Sequence, residues 1–371
     1  MRILFINETC GTGSHGKIAA EQAQKFESEG HEVKIAYGRY AKVPEKYKKY
    51  AVQIGSMFDV YVHALLTRLT DKNGFFSKKA TKKFLQWAEE YNPDFLWLHN
   101  IHGYYINIEM LFNWIKSRPD MKIYWTLHDC WSFTGHCGHF TFEKCLKWKT
   151  HCKQCPRINK YPASFIDNSY KNFERKKNLF TGIKNMKLIT PSKWLADLVK
   201  ESFLKDYPVE VRYNEIDKNI FTPSQSNFRE KFNLQDKKII LGVASIWEER
   251  KGLKDFIKLS EMLDSEKFAI VLVGLNKKQI KKLPEKITAV ERTNNQKELA
   301  EIYTAADVFF NPTYEDNYPT VNLEAEACGT PVITYDTGGC SETIKNENSK
   351  IIKCGDIEAA KELIFKAGSC R

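Results

Sequence analysis

Ile3-Leu-Phe-Ile6, Gly11-Thr-Gly13-Ser-His-Gly16, Lys17–Ser28 and Val33-Lys-Ile-Ala-Tyr37 follow one another at the start of the chain. The first four apolar residues read as a short buried strand, and the glycines as a loop. Apolar residues recur at helical spacing through Lys17–Ser28, Gly30 closes that helix, and a second strand begins at Val33. A strand, a crossing helix and a strand imply a parallel, doubly wound sheet. Further strands fit Phe95–His99, Ile123–His128 and Leu188–Thr190. The pattern breaks at Asp206–Pro223, where prolines and turn formers surround one short strand. It then restarts, with strands at Ile239–Ala244, Phe268–Val273, Val308–Asn311 and Val332–Tyr335 and helices at 252–263, 296–304 and 319–328. Two α/β halves are therefore expected: residues 1–206, a linker at 207–222, and residues 223–371.

A chain of 371 residues with 42% hydrophobic and 13% aromatic residues suffices for two packed cores. The net charge of +11 is uneven, because residues 1–206 hold 33 Lys/Arg against 20 Asp/Glu while 207–371 hold 24 against 26. The excess lies wholly in the first half and favours anionic surfaces. Residues 41–85 are rich in Lys and aromatics, including Lys78-Lys-Ala-Thr-Lys-Lys83, with Phe75, Phe76, Phe84 and Leu85 nearby. No run of about 18 apolar residues occurs, so a membrane span is not expected. Nor does the start, Met1–Asn7, fit a signal peptide. The reading is a cytoplasmic protein, in which ten cysteines serve as thiols or metal ligands.

The second half carries Asp316-Asn-Tyr-Pro-Thr-Val-Asn-Leu-Glu324, two carboxylates eight positions apart. Asn317 can cap a helix and Pro319 suits its first turn. The N–H groups of Tyr318, Thr320 and Val321 then gather at a helix N-terminus, an anion site. Thr320 and Glu324 share one helical face, and Gly329-Thr-Pro331 ends the helix before an apolar strand. An anion flanked by two acids suits a sugar nucleotide, with diphosphate at the helix end and hydroxyls at the carboxylates. Arg250 and Lys251 in Ser245-Ile-Trp-Glu-Glu-Arg-Lys-Gly252 follow a buried strand and supply cations for phosphate.

The acidic-x7-Glu run resembles the signature of retaining nucleotide-sugar glycosyltransferases of the GT4 family. That resemblance implies the GT-B fold, two Rossmann-like doubly wound domains facing a cleft. It assigns Glu324 to the nucleoside ribose and Asp316 to the donor sugar. The family's first acid is usually Glu, and here Glu315 precedes the Asp in register. The Arg250-Lys251-Gly252 block resembles the family's Arg…Lys-Gly element, Ser245 standing where many members have the Arg. His128, in Trp125-Thr-Leu-His-Asp-Cys-Trp131, resembles the histidine that reaches the donor sugar or diphosphate. Gly13, Ser14 and Gly16 resemble a first loop that admits donor phosphate and acceptor. Thr337-Gly-Gly-Cys-Ser-Glu342 resembles a Gly-Gly-x-Pro-Glu loop with Ser341 for Pro. Asn214-Glu-Ile-Asp217 resembles an Asn-Gly-Ile-Asp hinge with Glu215 for Gly. No catalytic metal is implied. GT-B proteins usually end on a helix crossing back to the first domain, and the stretch from Glu362 to Arg371 implies that this helix is missing and the chain truncated.

Cys137-x7-Cys145-x6-Cys152-x2-Cys155 stands apart. Only the last pair has the tight spacing of a zinc knuckle. Structural zinc on the four thiolates is the favoured reading, with His136, His139 and His151 as substitute ligands; two disulfides or free thiols are the alternatives. The run from His128 to Gly135 and the insert at about 130–160 are similar to a GT4 subgroup common in bacterial capsule and exopolysaccharide clusters.

The expected activity is a retaining hexosyl transfer from a nucleotide diphosphate, UDP-sugars being commonest in the family. The acceptor would be a lipid-linked or growing polysaccharide. The expected partners are the donor, that acceptor and an anionic membrane surface at the inner face of the plasma membrane, without nucleic acid. A nucleotide-sugar epimerase or hydrolase lacks a further acid/base pair. A non-catalytic glycan- or nucleic-acid-binding protein would need no diphosphate cradle.

Overall fold

A computed structural model of the chain describes residues 1–39 and 42–367. It divides into two compact units, Met1–Arg212 and Tyr213–Arg371, so the break falls inside the expected linker. The end of the stretch read as a truncated terminus, residues 368–371, lies outside the described residues.

The first unit holds strands β1 (Arg2–Asn7), β2 (Glu32–Tyr37), β3 (Ala51–Gln53), β4 (Phe95–Leu98), β5 (Lys122–Thr126), β6 (Met186–Thr190) and β7 (Val209–Val211). They form one sheet in the order β3-β2-β1-β4-β5-β6-β7, with every pairing parallel. Helices α1 (Gly13–Ser28), α2 (Met57–Thr70), α3 (Lys78–Tyr91), α4 (Ile108–Lys116), α5 (Ser169–Phe180) and α6 (Lys193–Glu201) accompany it. Because both sheet faces are covered, β1 and β4 are apolar almost throughout and buried. Leu4 and Ile6 belong to one core, Ile3 and Phe5 to the other, as strand alternation dictates.

The second unit repeats the plan with β8 (Lys238–Val243), β9 (Phe268–Val273), β10 (Ile287–Val290), β11 (Val308–Asn311), β12 (Val332–Tyr335) and β13 (Lys350–Ile352). Its parallel order is β10-β9-β8-β11-β12-β13. Helices α7 (Phe228–Lys231), α8 (Leu253–Met262), α9 (Lys277–Ile280), α10 (Gln296–Ala305), α11 (Thr320–Ala327) and α12 (Ile357–Lys366) complete it. In each unit the strand order reverses beside the first strand, at β1/β4 and at β8/β11. Open parallel sheets bind ligands outside the carboxyl ends of strands at such a reversal.

Two expectations are corrected. Helix α1 begins at Gly13, so Gly13, Ser14 and Gly16 lie in its first turn and not in a loop. Helix α11 begins at Thr320 with Pro319 at the capping position and no side-chain cap, so Asn317 does not cap it. In the lysine- and aromatic-rich region, Phe75 and Phe84 are buried, and the exposed apolar side chains stand on α2. Among the described residues no helix is long and apolar enough to cross a membrane.

Candidate functional site

The β8/β11 reversal of the second unit gathers most of the sequence-predicted residues. Arg250 and Lys251 lie in a single 3₁₀ turn, Glu249–Lys251, after β8. Gly252 ends that turn at φ +73°, and a Cβ there would stand 2.2 Å from the Pro312 carbonyl oxygen. Only glycine therefore lets the turn press against the segment leaving β11. The Tyr314 N–H donates to the Arg250 carbonyl at 2.7 Å, and Arg250 Nη1 donates to the Glu315 carbonyl at 3.0 Å. Lys251 Nζ forms an ion pair with Asp316 Oδ2. Both side chains of that pair keep about a fifth of their surface exposed (20% and 19%).

A third strand end completes the arrangement. Gly338, after β12, has φ +56°, and a Cβ there would lie 1.9 Å from the Asp316 carbonyl oxygen, while the Gly339 N–H donates to that oxygen at 3.2 Å. The backbone of Asp316 is thus clamped from both sides. Glu324 Oε2 accepts from the buried Tyr303 hydroxyl at 3.0 Å, and burial together with this carboxylate pushes the Tyr303 phenol well up. Glu315, Asn317 and Tyr318 are buried, and Tyr318 stacks on Tyr213 at 5.2 Å. Thr320 and Val321 occupy the first turn of α11, whose N–H groups receive no side-chain cap.

Two supports here carry no sequence signal of their own. Asn322 accepts from Asn311 and donates to Thr343, both at 2.8 Å, tying α11 to β11 and to the turn after β12. Asp255 in α8 accepts from the Tyr335 hydroxyl at 2.9 Å in a buried setting. A hollow of about 840 Å³ adjoins this site along α11, lined by residues 214–219 with Tyr318, Leu323, Glu326 and Lys345. Glu215 has no positive φ, so losing the family's glycine does not strain the hinge.

In the first unit the β1/β4 reversal holds a polar cluster that only His128 announced. His99 Nδ1 and His128 Nε2 lie 3.0 Å apart. Burial, then the nearby His15, pushes His99 down to about 3. His128 is held well below its ordinary range by burial and by His99 and His15. Both are therefore neutral at physiological pH. His15 pairs with Glu8 at 3.2 Å, and Glu8 reaches Arg39 at 3.5 Å. Burial works against the Glu8 carboxylate, but His15 and Arg39 hold it below its usual range. Asp129 is half-buried, which works against its carboxylate, yet His102 at 2.9 Å holds the carboxyl far down. Gly13 and Ser14 are exposed at the start of α1. A Cβ at Gly16 would meet Thr9 Oγ1 at 2.2 Å, so this glycine serves packing within the chain.

The four insert cysteines all line one small cavity of about 20 Å³, with His136 and Trp148. Each is a free thiol, so the disulfide alternative is not formed. The Cys137 S–H donates a hydrogen bond to Cys155 Sγ and so holds the Cys155 thiol down at about 7. Among the described residues no three His, Cys, Asp or Glu side chains stand together so as to hold a metal ion. His136 is committed to Asp71 and His151 to Glu174, which removes two of the substitute ligands.

Residues 224–370 match the glycosyl transferases group 1 family. Over 95% of its length the chain is 23% identical to 87% of the putative colanic acid biosynthesis glycosyl transferase WcaC of Escherichia coli. A segment covering 50% of the chain is 27% identical to 46% of the N,N'-diacetylbacillosaminyl-diphospho-undecaprenol alpha-1,3-N-acetylgalactosaminyltransferase of Campylobacter jejuni. Among solved structures, Anabaena HepE in complex with UDP superposes with a TM-score of 0.66 at 16% identity, over 99% of this chain and 89% of that one. The C-terminal unit thus carries a glycosyl transferases group 1 domain, and the protein is a glycosyltransferase enzyme of the GT-B fold.

Proposed function

We propose that the enzyme transfers a hexose, with retention of anomeric configuration, from a UDP-sugar to a lipid-linked or growing polysaccharide of capsule or exopolysaccharide type. The observation that carries this is the Lys251–Asp316 pair beside the uncapped N-terminus of α11. A cation, a carboxylate and a row of N–H groups there suit diphosphate and sugar hydroxyls together. WcaC is named for colanic acid synthesis, the Campylobacter relative for an undecaprenol-linked acceptor, and HepE was solved with UDP. These names support the polysaccharide class, the lipid carrier and the uridine nucleotide.

In the proposed step the bond from the anomeric carbon to the diphosphate oxygen breaks, its electron pair leaving with UDP. The acceptor oxygen bonds to the same face of that carbon, and its proton passes to a diphosphate oxygen. Lys251 and Arg250 stabilise the charge that grows on the leaving group. Asp316, with Glu315, Asn317 and Tyr318 around it, holds the sugar hydroxyls. Glu324 holds the ribose, and Thr320 and Val321 offer N–H groups to phosphate. His128, neutral and fixed by His99, would donate to the donor sugar or diphosphate, while Gly13 and Ser14, exposed at the start of α1, leave room for a ligand. No metal takes part in this step. NMR of the product is expected to show the donor's anomeric configuration; an inverted linkage would overturn the retaining mechanism.

A structural zinc at Cys137, Cys145, Cys152 and Cys155 belongs to the same proposal: all four thiols line one cavity, and they would have to close around the ion, because as they stand no three are grouped to hold it. Purified protein is expected to carry about one zinc per chain, four thiolates filling one tetrahedral ion. Metal-free protein with four titratable thiols and an unchanged melting temperature would remove zinc from the account.

The basic first half is proposed to rest on the anionic inner face of the plasma membrane, where a lipid-linked acceptor is presented.

A further inference from the structure

Helix α2 is turned the wrong way out for a helix facing only water. A capping box starts it, Ser56 Oγ accepting from the Asp59 N–H and Asp59 Oδ2 from the Ser56 N–H. Its inward face is Val60, His63 and Thr67, all buried. His63 fixes that face: Nδ1 lies 2.8 Å from Ser77 Oγ, and Nε2 accepts from the Gly74 N–H at 3.1 Å. Outward stand Phe58 at 73% exposure, Tyr61 at 68%, Val62 at 37%, Leu65 at 59% and Leu69 at 46%. Positions i, i+3, i+4, i+7 and i+11 form one helical stripe. On a surface helix that stripe is ordinarily polar, and here it is aliphatic and aromatic along about 17 Å of axis.

The stripe continues beyond the helix. The Phe165 N–H and Ser164 Oγ both donate to the Arg68 carbonyl, at 2.8 and 3.1 Å. Phe165 is thereby held at the end of α2, under the Arg68 guanidinium at 5.7 Å, and is 72% exposed; the next residue, Ile166, is 51% exposed. Contiguous exposed apolar surface of this kind marks a binding face.

Charge selects the partner. From Val60 to Ala88 the only acid is Asp71, which is buried, while Arg68, Lys72, Lys78, Lys79, Lys82 and Lys83 are exposed. Four of these lysines sit in the first turns of α3, which has no acid in its first turn. Cations there oppose the helix dipole and cost stability locally, so they answer to something outside the chain. Apolar side chains to enter a hydrocarbon boundary, with exposed cationic groups on the same stretch of chain to meet headgroups, describe a helix lying in a membrane interface.

We propose that α2, with Phe165 and Ile166, is the surface by which the enzyme docks on a bilayer bearing anionic headgroups. The proposal deepens the reading of a membrane-carried acceptor and rests on it. The test needs neither donor nor acceptor, so its failure and the failure of the transfer reading are separable. Purified full-length protein is mixed with phosphatidylcholine vesicles, with or without phosphatidylglycerol, and sedimented. Wild type is expected to sediment with the anionic vesicles and to be released by salt. The double variant Phe58→Ser, Leu65→Ser is expected to bind about a hundredfold more weakly, two inserted side chains being lost. Its melting temperature should be unchanged, because both residues are exposed. Reversing Lys78, Lys79, Lys82 and Lys83 to Glu is expected to abolish the preference for anionic vesicles. Wild type left in the supernatant with every vesicle, or a double variant that sediments like wild type, would overturn the proposal. So would a wild-type dimer by light scattering that the double variant turns into a monomer, since the stripe would then meet a second copy of the chain.

Discussion

Lys251→Ala is expected to lower the turnover of sugar transfer by about 10²–10³-fold while leaving the fold in place. The reasoning starts from its partner. Lys251 and Asp316 are each about one-fifth exposed, and an ion pair of that kind contributes only about 0–1 kcal/mol to stability. Little melting temperature is therefore at stake. In the proposed transition state the same ammonium meets a diphosphate gaining charge, where a single well-placed donor is worth several times more. Lys251→Arg keeps the charge but not the compact point geometry, so partial activity is expected. Arg250 is a different case, because its guanidinium already holds the Glu315 carbonyl and Glu248. Its removal should disturb the loop as well as the phosphate. Thermal denaturation beside steady-state kinetics separates the two effects. Wild-type turnover in Lys251→Ala would remove the lysine from the mechanism.

Glu324→Ala is expected to remove about half or more of the stabilisation of the protein by UDP. A carboxylate that receives ribose hydroxyls contributes about 1.5–3 kcal/mol per bond, a loss of roughly tenfold to a hundredfold in affinity. At a UDP concentration a hundred times the wild-type Kd, binding stabilises the native state by about 2.7 kcal/mol, of which the variant should forfeit about half at a tenfold loss and most at a hundredfold loss. Glu324→Gln is the control, because an amide oxygen still accepts from the Tyr303 hydroxyl, which burial keeps protonated. If Ala and Gln lose UDP binding alike, the carboxylate itself is required. If Gln binds as tightly as wild type while Ala does not, an uncharged acceptor at this position suffices and the negative charge is not required.

Much of this was legible because chain order and chemistry coincide in doubly wound sheets. A strand, a turn and a helix in sequence put Arg250-Lys251 and Glu315-Asp316 at neighbouring strand ends, since β8 and β11 pair in parallel. No sequence pattern, however, announces a through-space contact such as Glu8 with His15 and Arg39, or His102 with Asp129, 27 residues apart. Short strands such as β3 and β13, of three residues each, lack the length for a period to show. The start of α1 escaped notice because its first turn is Gly-Ser-His-Gly, residues that read as loop. The outward stripe of α2 escaped for a related reason. Apolar spacing in a helix signals a face, and only burial tells which way that face points.

The most direct test of the account is donor consumption by the purified enzyme across UDP-, GDP- and ADP-hexoses, with a lipid-linked saccharide as acceptor. The account predicts release of UDP that depends on the acceptor and is lost in Lys251→Ala. Acceptor-independent release, or turnover of GDP- or ADP-sugars alone, would contradict it.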